Sequence, residues 1–144
     1  MVRLQLFLAA LWWGSLMAVG FMVVPMLFVH LETPAIAGQM AARLFAAQTW
    51  VSVFCGVMLL LAAQRQNKES PQTPSIWVIA GLLLAVMLEV AIKPHIVARD
   101  NMALWHNLGT VLYVMQWWCA SKTLWDLCPS QDELAGAASP ESND

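Results

Sequence analysis

Leu4 to Leu31 contains no Asp, Glu, Lys or Arg, and that one run restricts the chain more than any other feature. About 20 apolar residues suffice to cross a bilayer as a helix, and this run is longer. In water, a helix that is apolar on every side must be buried on every side. In lipid it needs only the backbone hydrogen bonds that a helix makes within itself. Only Pro25 and the titratable His30 interrupt the run. It is about twice the length of a secretory h-region, and no small-residue cleavage pattern closes it. We therefore expect an uncleaved first transmembrane helix over residues 4–32.

The remainder repeats the theme. Thr33-Pro34 restarts a helix, with a side chain able to cap and a proline suited to the first helical position. The second helix is expected over 34–63. At 1.5 Å per residue this is roughly 45 Å, longer than the hydrocarbon core, so its first turns, with Gln39 and Arg43, belong at the interface. A polar loop holding Lys68, Glu69, Pro71 and Pro74 leads to a third helix over 76–99, with Trp77 as an interface anchor. Asp100 and Asn101 form the next turn, and the fourth helix covers 102–125, where Trp117, Trp118 and Trp125 read as an aromatic belt.

The expected fold is an all-α integral membrane protein, an antiparallel bundle of four transmembrane helices with short loops, occupying residues 1–125. The 60% hydrophobic share, against the 45–50% or so of soluble proteins, agrees. Residues 126–144 are an acidic tail whose end, Ser139 to Asp144, is expected to be disordered.

Charge is unevenly distributed. Residues 1–125 hold all seven Lys and Arg against Glu32, Glu69, Glu89 and Asp100, whereas 126–144 are purely acidic. No basic patch points to nucleic acid. Arg3, Arg65, Lys68 and Lys122 fall on one side of the expected bundle, and Arg43, Lys93 and Arg99 on the other. Four against three puts both termini in the cytoplasm, and the expected location is a bacterial cytoplasmic (inner) membrane. The expected surroundings are the lipid bilayer, with a second copy or a membrane partner protein as candidate associates.

Small residues recur every fourth position at Ala10, Gly14 and Ala18, at Gly38, Ala42 and Ala46, and at Ser52 and Gly56. Such spacing lets helices approach closely in lipid. Pro25 should kink the first helix by removing one backbone hydrogen bond. Trp12 and Trp13 lie too deep for interface anchors and should pack between helices. Cys55, Cys119 and Cys128 form no CxxC and imply neither a disulfide framework nor a thiolate zinc site.

An up-down topology brings His30, His95 and His106 to one membrane face, together with Glu32, Glu89, Lys93, Arg99 and Asp100. Glu89 follows Gly81 and Ala85 at four-residue steps and precedes Lys93 by one turn. Two readings stand: an internal ion pair that locks the bundle near its polar end, or a proton, metal or ligand site, since an ionisable group in a membrane helix faces a partner or a wet cavity. His106 opens a stripe with Gly109, Tyr113, Gln116 and Ala120. Interhelical hydrogen bonding explains that stripe, and haem or metal ligation by His106 with His95 or His30 is the alternative. Glu89, Lys93, His95 and His106 are thus the candidate ligand-binding residues. His106, His95 and His30 are candidate metal ligands, and Gly14, Pro25, Gly38 and Pro94 are structural. No nucleophile elbow, phosphate loop or Ser/His/Asp arrangement assigns a catalytic residue.

The order Gly14, Phe21, Pro25, Leu27-Phe28, Leu31, Gly38 and Leu44-Phe45 resembles the first half of the transmembrane-protein-205-like family, small membrane proteins of unknown function. Lys93-Pro94 followed by Arg99, and His106 opening the fourth helix, are similar to features of its second half. The chain departs from that pattern in having Lys93 where the family often has Glu, and Asn107 and Leu108 where it often has Gly or Ser. The resemblance spans about residues 5–120 and implies a four-helix membrane protein. Through a distant link to copper-resistance proteins and haem-pathway oxidases, it also implies haem b or a metal ion as candidate cofactors at His106.

The expected function is that of a small membrane protein, not an enzyme, that binds or passes a small solute or metal through a polar vestibule at one face. The alternatives are a haem-binding redox protein and a non-catalytic assembly subunit.

Overall fold

A computed structural model describes residues 2–66, 75–98 and 101–128. Every regular element among them is helical: α1 (Val2–Met17), a first π-helical segment (Ala18–Val23), α2 (Val24–His30), α3 (Pro34–Gln66), α4 (Ser75–Met87), a second π-helical segment (Leu88–Ile92), α5 (Lys93–Val97) and α6 (Met102–Leu127). These elements join into four continuous rods. Three of them, Val2–His30, Pro34–Arg65 and Ile76–Ile96, are long and apolar enough to cross a membrane, which indicates an integral membrane protein.

The breaks between rods follow the local chemistry. Leu31 leaves the helical region (φ −87°, ψ 145°). Thr33 Oγ1 then accepts the Ile36 N–H at 3.3 Å, capping α3 ahead of Pro34. Before α6, Asn101 adopts a left-handed conformation (φ 35°), which Asn tolerates better than most residues. Its carbonyl accepts from Leu104 and Trp105, and its side chain makes no cap. Asp100, expected in the same turn, lies outside the described residues, as does Arg99. At the other end α6 continues to Leu127, so Asp126 belongs to the helix, where it pairs with Lys122 at 2.5 Å. Residues 129–144 of the expected tail lie outside the described residues.

Both π-helical segments end two residues before a proline: the first at Val23 before Pro25, the second at Ile92 before Pro94. A helical proline lacks its N–H, and its ring crowds the carbonyl four residues back. A wider turn just upstream relieves that crowding, so the distortion expected at Pro25 takes the form of a π bulge. Rods one and three carry the same device.

The core is small and lies along the line where the rods meet. Leu8, Ala9, Trp12 and Leu16 of α1, Cys55 and Leu59 of α3, Val78 of α4, and Tyr113 and Ala120 of α6 form one buried cluster. Outside it, large apolar side chains face outwards all round, among them Phe7, Phe21, Trp50, Phe54, Leu83, Val90 and Trp118. An apolar exterior of that extent fits lipid and not water. Trp12 is fully buried, as expected, whereas Trp125 and Trp118 are exposed on α6.

Glycines admit the large core side chains at specific points. A Cβ on Gly81 would lie 2.5 Å from Cη2 of Trp12, and one on Gly56 would lie 2.6 Å from Cδ2 of Leu82. A Cβ on Gly20, inside the first π segment, would meet the Tyr113 ring. Gly14 and Gly38, expected as close-approach points, have nothing within 4 Å of that position. The tight interhelical slots therefore fall on other glycines, and Gly14 and Gly38 present open backbone.

Candidate functional site

The polar side chains form two groups, one in the interior and one towards the rim. The interior group begins at Ser52 on α3, fully buried. Its Oγ accepts from Gln116 Nε2 of α6 at 3.0 Å and from Gln48 Nε2, one turn earlier, at 3.4 Å. Gln48 Nε2 also donates to Ser15 Oγ of α1 at 2.9 Å. Ser15 Oγ in turn donates to the Trp12 carbonyl at 2.9 Å. One chain of hydrogen bonds thus ties α1, α3 and α6 together. Next to it, the buried Tyr113 hydroxyl donates to the Leu16 carbonyl at 2.8 Å, while its ring meets Phe45 edge-on at 5.2 Å. The carbonyl Tyr113 uses lies two residues before the first π segment.

Of the stripe beginning at His106, Tyr113, Gln116 and Ala120 are buried, and Gly109 lies against Ile92. Tyr113 and Gln116 make the interhelical hydrogen bonds expected for that stripe. His106 itself is exposed, with its carbonyl accepting from Thr110 Oγ1 at 2.9 Å. The signal for Gln48 was a polar residue one turn before Ser52 in an otherwise apolar segment. In lipid, polar side chains mark the inner face of a helix.

The rim group is centred on the second π segment. Glu89 Oε1 accepts from Lys93 Nζ, the i,i+4 ion pair expected from the sequence. Their side chains remain 31% and 35% exposed, so the pair is not sealed in the core. One residue past Pro94, the His95 imidazole stacks on the Trp105 indole with centroids 3.9 Å apart and planes 3° from parallel. That contact brings α5 against the start of α6. His30, on the first rod, donates from Nδ1 to the Met26 carbonyl at 3.0 Å and is exposed.

Glu89 and Lys93 are thus joined, His95 is held against the residue preceding His106, and His30 is engaged on its own helix. Among the described residues, no group of three or more His, Cys, Asp or Glu could hold a metal ion. Cys55 and Cys119 are buried, Cys128 is exposed, and all three are free thiols. Two buried indole N–H groups, Trp12 Nε1 and Trp117 Nε1, have no hydrogen-bond partner.

This arrangement contains neutral amides and hydroxyls satisfied by one another, one half-exposed ion pair and one stacked imidazole. It can hold helices in register and offer a charged rim to a small polar guest. A family model described as Domain of unknown function (DUF4149) matches residues 7–103, which include Ser15, Gln48, Ser52, Glu89, Lys93 and His95. Tyr113 and Gln116 lie beyond that match. No curated protein and no solved structure matches the chain.

Proposed function

The chain belongs to the DUF4149 family, and from that premise we propose that it is a small non-enzymatic membrane protein of the transmembrane-protein-205-like kind. In this reading it is an antiparallel four-transmembrane-helix bundle that binds or passes a small charged or polar solute at one membrane face. The residues that receive the solute are Glu89, Lys93, His95 and His106. The setting is a bacterial inner membrane with both termini cytoplasmic.

The supporting observation is the exposure of the Glu89–Lys93 pair. Glu89 lies about 20 Å along its rod from Ile76, within reach of the hydrocarbon thickness. A carboxylate and an ammonium that keep 31% and 35% of their side-chain surface free at that depth must face water or a polar guest. Two such groups side by side suit a zwitterionic or paired solute better than a bare cation.

Thermal unfolding of the detergent-purified chain, titrated with organic acids, primary amines, zwitterions and divalent metals, tests this. At 100 times its Kd, a ligand that binds only the folded state adds about 2.7 kcal/mol. At least one class should raise the Tm, and the double variant Glu89→Gln, Lys93→Met should lose that rise while keeping its unliganded transition. A flat response to every class would overturn the proposal. A Soret band in the purified chain that vanishes in His106→Ala would replace it with the haem-binding alternative.

A second reading, assembly with a partner or a second copy, is favoured by Gly14 and Gly38, where an added Cβ would meet nothing within 4 Å. It predicts that Gly14→Leu abolishes cross-linked complexes in native membranes without altering the unfolding of the isolated chain.

A further inference from the structure

The Glu89–Lys93 pair lies on the side of the third rod that turns to α3. Leu82 of α4 lies against Gly56 of α3, where an added Cβ would sit 2.6 Å from Cδ2. Glu89 and Lys93 follow Leu82 by seven and eleven residues and so continue its face of the rod. Ile92 and His95 point elsewhere, to Gly109 and Trp105 of α6. Two turns on from Leu82 and two turns back from Gly56, the seam sets Glu89 level with the half-buried Thr49.

At that level the seam is not closed. α3 packs along α4, but among the described residues it makes at most glancing contact with α5. Val86 and Val90, at the outer edge, are exposed. Both members of the ion pair fall inside the apolar span Ile76–Ile96, so an opening here faces hydrocarbon and not the aqueous phase.

A second observation lies beside the first. Trp50, Val53, Phe54, Val57 and Met58 line an open apolar groove of about 270 Å³ on the outer face of α3. The groove starts at Trp50, next to Thr49, and runs away from the rim towards the middle of the bilayer. Trp50 is 74% exposed. Its indole N–H has no acceptor in bare hydrocarbon, whereas tryptophan favours places that serve both its apolar ring and its polar tip.

We propose that this seam is a lateral binding site for a membrane amphiphile with a zwitterionic head, a phospholipid carrying one ammonium and one phosphate. The proposal rests on the solute reading above and names its substrate class. The ammonium meets the Glu89 carboxylate and the phosphate meets Lys93 Nζ. One chain lies in the groove from Trp50 to Val57, and the Trp50 indole donates to the ester carbonyl between head and chain. A polar pair with an apolar groove running inwards from it matches a lipid of the rim-side leaflet, whose head lies outermost and whose chains point to the bilayer centre.

The test is thermal unfolding of the full chain in detergent with three probes, each below its own micelle concentration. These are dihexanoyl phosphatidylethanolamine, its head group glycerophosphoethanolamine, and dihexanoyl phosphatidylglycerol, whose head is anionic. We expect the first to raise the Tm at a concentration at least about tenfold lower than the head group needs, since burial of about two methylene groups already gives that factor. The anionic lipid should leave the Tm unchanged. Trp50→Ala should cost the zwitterionic lipid its advantage, and Trp118→Ala, on the exposed side of α6, should not. A head group as effective as the whole lipid would overturn the lateral site and leave the solute reading standing. So would a response to some other solute class with none to phosphatidylethanolamine. Equal effects of the two lipids, or equal losses in the two tryptophan variants, would show ordinary lipid contact and also overturn it. A flat response to every class removes the solute reading and this site together. If Trp50→Ala fails to fold, the comparison of lipid with head group on the unsubstituted chain decides by itself.

Discussion

Single side chains show how narrow the packing tolerance is where rods meet and how wide it is elsewhere. Gly81 exists so that the Trp12 indole can lie against the α4 backbone. Gly81→Ala forces the ring and the helix apart, and overpacking of that kind costs about 1–3 kcal/mol. Gly14→Ala meets nothing within 4 Å and exchanges a poor helix former for the best one. Thermal unfolding in detergent should therefore show a lower Tm for Gly81→Ala and an equal or higher one for Gly14→Ala. Ser52 is the acceptor on which two glutamines converge, so Ser52→Ala should destabilise by more than one membrane hydrogen bond, which averages about 0.6 kcal/mol. Chemical denaturation beside a Ser15→Ala control measures this, because Ser15 receives only Gln48. Much at this scale was legible beforehand. The Glu89–Lys93 pair followed from spacing alone, and Gln116 followed from its place in a polar stripe. The true close-approach glycines were not legible, because a small residue every fourth position says that a helix can be approached and not from which side. Gly14 and Gly81 look alike in sequence, and only the partner's tryptophan separates them.

At the scale of elements, rods one and three share a layout that composition conceals. In each, a π segment ends two residues before a proline, and in each the segment carries a residue that matters to the packing or polarity of the bundle. The first carries Gly20 against Tyr113, and the second carries Glu89. A π bulge rotates the residues after it relative to an unbroken α-helix. Glu89 therefore sits where the bulge puts it, half-exposed, although Gly81 and Ala85 on the same four-residue ladder are buried. Replacing Pro94 by alanine removes the reason for the wide turn. Amide hydrogen exchange across Leu88–Ile92 should slow in that variant as four-residue hydrogen bonds re-form, and solvent access to Glu89 should change with it. Unchanged exchange would show that the bulge is held by packing on α6 and not by the proline. Helix boundaries were readable because Thr33-Pro34 and Asn101 are strong local punctuation. The bulges were not, since proline announces a distortion without saying whether it becomes a kink or a wider turn.

For the whole molecule, the fourth rod is the part whose relation to the membrane needs argument. α6 is less apolar than the other rods, because its inner face carries Gln116 and Thr123, Ser121 is half-buried, and its ends carry His106, Lys122 and Asp126. Those same residues argue for its depth. Trp105 stacks on His95 at one end of the third rod, Gly109 meets Ile92, Cys119 lies near Gly81, and Leu127 shares a wall with Val78 at the other end. The contact therefore runs the length of both rods in opposite directions. If Ile76–Ile96 crosses the bilayer, a helix in continuous antiparallel contact with it crosses too, and its polar inner face is hidden from lipid by Ser52 and Leu16. Reporter fusions resolve the matter. Phosphatase and fluorescent-protein fusions after residues 33 and 101 should report one compartment, and fusions after 70 and 130 the other. A fusion after 130 that joined those at 33 and 101 would leave α6 outside the bilayer. It would also expose the Gln116–Ser52 bond to water, and the chain would then be a three-span protein with a helix laid against its side.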